Sequence, residues 1–164
     1  MPDRVSRPHG YPPQMVHQPP SDDRRTVVQG GRAKAYRPIP APRRRAAFEA
    51  GLAAYGRGEW FEAHELLEPA WMGTDDLPER ELCQGLIKVA AAHVHRQRGN
   101  ATGMRKNLVG ARARLAQAIE GGVDDRGLDL PDVLGAIDHR LAALDQLGDG
   151  DVTLIAPIVL VRRA

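Results

Sequence analysis

Aromatic residues are scarce in this 164-residue chain: two Trp, three Tyr and two Phe. A core must therefore come from Ala, Leu, Val and Ile. Ala and Leu lose least on entering a helix, so a helical fold is expected. Cysteine occurs once, at Cys83, which excludes an intramolecular disulfide and agrees with a reducing compartment. Long apolar runs are missing too. "LIAPIVLV" falls far short of the ~20 residues of a membrane span. The first thirty residues hold nothing like the apolar core of a signal peptide. A soluble, unexported, cytoplasmic protein without membrane contact is the expectation. Also absent are a glycine loop ending in Lys-Ser/Thr, a dinucleotide fingerprint and a Cys pair for zinc, which removes the commonest nucleotide and structural-zinc readings.

What is present is distributed unevenly. Residues 1–45 carry ten Lys/Arg against three Asp, a net +7, and the remainder is −5, so the overall +2 hides a basic arm on an acidic body. Nine of the 13 prolines fall in residues 1–42, with no helical or alternating period. This segment buries too little apolar surface to offset its conformational entropy, and a disordered basic arm over 1–42 is predicted. Such an arm can touch nucleic acid or acidic partners, or none.

From residue 43 the pattern is helical. "RRAAFEAGLAAYGRG" stops at Gly58 and "EWFEAHELLEPAW" resumes at once, so two antiparallel helices are expected. "DLPE" offers Asp76 as an N-cap and Glu79 as its capping-box partner for a third helix reaching about Arg98. Asn100 caps a fourth, with Met104, Leu108, Ala111, Leu115 and Ile119 as its apolar stripe. A fifth starts near "DLPD" and carries Leu134, Ile137, Leu141 and Leu144. An offset of 41 residues pairs Gly58 with Gly99, Leu67 with Leu108 and Ala70 with Ala111, an internal repeat of helical hairpins. The first hairpin resembles a tetratricopeptide repeat at its packing positions. The expectation is an all-α bundle of about five helices over 43–148, built on two such hairpins, followed by an extended strap at 149–164.

The candidate site lies in "HELLE". On a helix Glu68 stands about 40° from His64 and one turn along, and Trp71 lies about 20° to the other side. Glu65 points about 100° away. A His and a Glu spaced i, i+4 can share a divalent metal such as zinc, manganese or iron. A third ligand must then come from the third helix, where Gln84 and His95 share a face with Lys88 and Ala91, while His93 faces the opposite way. His95 is favoured over His93 because the polar Gln84 shares its face. The competing reading is a hydrogen-bonded His at the rim of a core. Pro69 leaves the Glu65 carbonyl without its helical donor, one more oxygen for a ligand or a mere bend. Cys83 with a histidine suggests a thiol nucleophile, but its neighbours Leu82, Leu86 and Ile87 place it in the core. Arg96, Arg98, Arg105, Lys106, Arg112 and Arg114 can meet phosphate or form a solvated face.

"GEWFEAHELLEPAW" followed by "CQGLIKVAAAHVHRQRGNATGMRKNLVGARARL" resembles the domain of unknown function 309 family over roughly residues 45–120. The shared pattern is aromatic-x-Ala-His-Glu-x-x-Glu-x-x-Trp, then Gln-x-Leu-Ile with an alanine run, then Gly-Asn. It covers His64, Glu65, Glu68, Trp71, Gln84, His95 and Asn100, and departs at Pro69, where many relatives carry an acid. The resemblance implies a helical fold and no established activity. The combined expectation is a small domain with a polar pocket around His64 and Glu68 for a metal or small ligand. There His95 and Gln84 are the facing groups, Trp71 is the wall, and Glu65 supports His64 or acts as general base. A protein-interaction scaffold without metal and a metal-dependent hydrolase are the alternatives.

Overall fold

A computed structural model describes residues 25–164. It comprises strands β1 (Arg25–Gln29) and β2 (Arg32–Tyr36), then helices α1 (Ala41–Gly56), α2 (Trp60–Met72), α3 (Leu77–Gln97), α4 (Ala101–Glu120) and α5 (Leu130–Leu147), and a 3-10 turn at Val152–Leu154. None of these helices is long and apolar enough to cross a membrane. The domain is all-helical apart from the two-stranded hairpin.

Local chemistry explains most helix boundaries. Asp76 accepts from the Glu79 amide at 3.0 Å, Asn100 from the Gly103 amide at 2.8 Å and Asp129 from the Asp132 amide at 3.1 Å, so three helices start on side-chain caps. The α1–α2 and α3–α4 turns pass through Gly58 and Gly99, with φ of 76° and 69°, a region that favours glycine. These turns fold each pair back on itself, and α2 also packs along α3. The 41-residue repeat has a physical basis in these pairs. Its turn glycines coincide, and Leu67, Leu108, Ala70 and Ala111 are all fully buried.

Close helix approach depends on small residues facing large ones. A Cβ added at Gly51 on α1 would sit 2.5 Å from Leu67 Cγ on α2, and one at Gly85 on α3 would sit 2.6 Å from Leu115 Cδ2 on α4. Gly51→Ala is therefore expected to lose about 1–3 kcal/mol by overpacking, despite a gain of up to ~1 kcal/mol in helix propensity. Urea unfolding of the variant measures this; an unchanged midpoint would show that Leu67 moves aside freely.

Two expectations need correction. Residues 1–24 of the predicted arm lie outside the described residues, but 25–36 form an antiparallel hairpin and α1 begins at Ala41. Gly30 and Gly31, with φ of 59° and 73°, supply the left-handed turn that two-residue hairpins require. The hairpin is then held by tertiary contacts, chiefly through Gln29, which is 2% exposed. In α4 the buried stripe ends with Ala118, while Ile119, about 100° round the helix from it, is 40% exposed.

The C-terminal strap crosses the bundle after the 3-10 turn. Ile158 is buried, its amide donates to His93 Nε2 at 3.1 Å, and its carbonyl accepts from the Tyr55 hydroxyl at 2.7 Å. Arg96 donates to the Ile155 and Thr153 carbonyls, and Arg140 to those of Ala156 and Pro157. Side chains of α1, α3 and α5 thus supply the partners that a lone extended segment lacks.

Candidate functional site

The α2–α3 seam opens into a cavity of about 220 Å³. His64, Glu68 and Trp71 enter from α2, Gln84, Ile87, Lys88 and Ala91 from α3, and Asn107 from α4. Helical spacing explains the set. Residues 64, 68 and 71 form one row of α2, residues 84, 88 and 91 one row of α3, and the two rows face each other.

His64 is about one-third exposed, with Nδ1 3.1 Å from Glu65 Oε1 and its ring stacked on Phe61. Glu65 lines no part of this cavity; it orients the imidazole, and a proton held at Nδ1 leaves Nε2 as an acceptor. Trp71 is fixed from behind: its indole N–H donates to Gln29 Oε1 at 3.0 Å, and the Arg80 guanidinium lies 5.3 Å from its ring centroid. Gln84 Oε1 is buried without a hydrogen-bond partner among the described residues. Asn107 spends its amide N–H on the Gly103 carbonyl at 2.9 Å, which leaves Oδ1 as an acceptor.

Lys88 was legible as a neighbour of Gln84 on its face, and the fold makes it the cation of the cavity. Its stem lies across Gly110 of α4, where an added Cβ would come 3.0 Å from Cδ and 3.3 Å from Nζ. Burial, and then the positive charges of Arg114, Lys106 and Lys34, lower its pKa. Among the described residues neither Lys88 nor Glu68 has an ion-pair partner within 4.0 Å, and they do not pair with each other.

The expected third ligand is elsewhere. His95 lies at the α3–α4 turn, its Nδ1 3.0 Å from Asn100 Nδ2, and it does not line the cavity. Gln84 to His95 spans three helical turns, so a shared face does not bring them to one point. His93 faces Tyr55 and Trp60 on the strap side of α3. Among the described residues no three His, Cys, Asp or Glu side chains are grouped to hold a metal ion. His64, Glu68 and His95 are thus not assembled as a three-ligand centre. Cys83 is fully buried, and burial pushes its thiol up to about 12, which removes the thiolate a nucleophile requires. Four of the five arginines considered for phosphate have other work: Arg105 pairs with Asp145, Arg112 with Asp138 and Arg114 with Glu81, while Arg96 holds the strap; Arg98 and Lys106 have no ion-pair partner among the described residues.

Residues 48–107 match the family described as Domain of unknown function (DUF309). Over this segment the chain is similar to the DUF309 family. Every residue lining the α2–α3 cavity falls inside the DUF309 segment, and the hairpin, α5 and the strap fall outside it. "Uncharacterized protein YpuF" of Bacillus subtilis (strain 168) is 35% identical over 71 residues, covering 43% of this chain and 40% of that protein. The chain thus matches less than half of that relative's length. No solved structure matches the chain.

Proposed function

We propose that this chain is a small-molecule-binding domain and that its ligand occupies the α2–α3 cavity. The observation that carries the reading is the convergence of His64, Glu68, Gln84 and Lys88 on one cavity, with the buried Gln84 Oε1 unpartnered there among the described residues. A buried acceptor without a donor costs about 1–3 kcal/mol, and a bound donor group would recover it. At about 220 Å³ the cavity is smaller than the ~300–1,000 Å³ of sites for drug-sized ligands, which points to a compact metabolite. His64, held by Glu65, and Asn107 add directional contacts, and Trp71 with Ile87 forms the apolar wall.

Equilibrium dialysis of the tag-free protein against a small-molecule extract of bacterial cells, read by mass spectrometry, tests this. At least one compound is expected to be retained by the parent and lost in Gln84→Ala and Glu68→Gln variants of unchanged melting temperature. Retention of nothing, or equal retention by both variants, would remove the reading. The metal-dependent alternative predicts near-stoichiometric metal that disappears in His64→Ala; the proposal predicts melting unaltered by a chelator. An interaction scaffold predicts partner binding indifferent to both substitutions.

A further inference from the structure

Resting on that reading, we infer that the ligand is a zwitterion of amino-acid size, with an ammonium bound beside Glu68 and a carboxylate bound at Lys88. The cavity presents one anion, Glu68, and one cation, Lys88, each without an ion-pair partner among the described residues and more than 4.0 Å apart. Two opposite charges that share a cavity without meeting leave room for an opposite charge beside each.

The neutral groups sort in the same way. Among the described residues the buried Gln84 Oε1 has no donor and Asn107 Oδ1 is a further acceptor, and with the Glu68 carboxylate they suit an ammonium, which carries three N–H donors. A dianionic or purely anionic ligand would leave these acceptors facing lone pairs. A polyamine would place its second charge against Lys88. The positive charges of Arg114, Lys106 and Lys34 bear on Lys88, and Arg114 is already engaged by Glu81. Gly110 lets the Lys88 stem lie flat on α4, and any side chain there would meet it at 3.0–3.3 Å. Lys88 is thereby held at the cavity instead of extending into solvent.

The test uses matched four-carbon probes on the full chain by calorimetry: 4-aminobutyrate and 2-aminobutyrate as zwitterions, butylamine with the ammonium alone, and butyrate with the carboxylate alone. The expected result is that a zwitterion binds about tenfold or more tightly than either single-charge analogue, since each lost charge-assisted contact is worth at least that factor. Lys88→Met should reduce zwitterion binding to the level of butylamine, and Glu68→Gln to the level of butyrate. Gly110→Val should weaken zwitterion binding with Lys88 still present. If a single-charge analogue binds as well as the zwitterions, or if no probe binds, the inference is overturned. Retention of a non-zwitterionic compound in the dialysis experiment would then leave the small-molecule reading standing, and retention of nothing would remove both.

Discussion

Replacing Arg80 by alanine is expected to lower stability by about 3 kcal/mol and to release the hairpin from the helices. Arg80 is fully buried with no carboxylate within ion-pair distance among the described residues. Its guanidinium donates instead to Gln29 Oε1 at 3.2 Å and to the carbonyls of Trp71 at 3.1 Å, Thr74 at 2.9 Å and Ala35 at 3.4 Å. These acceptors belong to β1, the end of α2, the following turn and β2, so one side chain ties four segments together. Burying a cation is costly, and its loss returns part of that cost. The stranded acceptors and the space left behind outweigh it, because water cannot readily replace a donor at each of them. Arg80→Met separates the contributions, since it keeps most of the volume and removes every donor. Urea unfolding should place Met between Arg and Ala, and native Trp fluorescence should shift in both variants because Trp71 loses its neighbour. A Met variant as stable as the parent would show that these hydrogen bonds contribute nothing net.

Acidification is expected to cost this protein about 2–3 kcal/mol through one histidine. His93 is fully buried against Tyr55 and Trp60, and burial first, then the charges of Arg96 and Arg140, lowers its pKa from 6.5 to about 4. Its Nε2 accepts from the Ile158 amide, so the folded state requires the neutral ring with the proton on Nδ1. Below pH 6.5 the unfolded chain takes up a proton that the folded chain refuses. The stabilisation is therefore complete above pH 6.5 and is lost as pH falls toward 4, where the folded ring also protonates and the strap loses its acceptor. Carboxylates titrate nearby in pH, so the measurement is a difference. Urea unfolding of the parent and of His93→Gln, an acceptor that does not titrate, should diverge by that amount between neutral pH and pH 4.5. Parallel curves would assign the acid sensitivity to other groups.

The legible parts of the fold share a local origin. Asp76, Asn100 and Asp129 signal helix starts through side chains three residues from the amides they cap. Gly58 and Gly99 signal turns through a backbone conformation that few other residues adopt. The hairpin had a local signal as well, Gly30–Gly31 between β-forming pairs, but its proline-rich surroundings pointed to disorder. What stabilises it is remote: Gln29 meets Trp71, 42 residues away, and Arg80, 51 residues away. Nothing within residues 25–36 specifies those partners.

The same division runs through the candidate site. Helical periodicity by itself determined that His64, Glu68 and Trp71 share one row and that Gln84 and Lys88 share another, because angle around a helix follows from spacing alone. Only the tertiary structure decided which length of α3 faces α2, and so admitted Gln84 and Lys88 to the cavity and left His95 at the turn beside Asn100. It alone brought in Asn107 and Gly110 from α4, and it alone turned His93 toward the strap. The physical reason is that spacing gives direction around an axis, whereas a site requires side-chain ends to meet at a point, and that point is set by how far one helix slides along another.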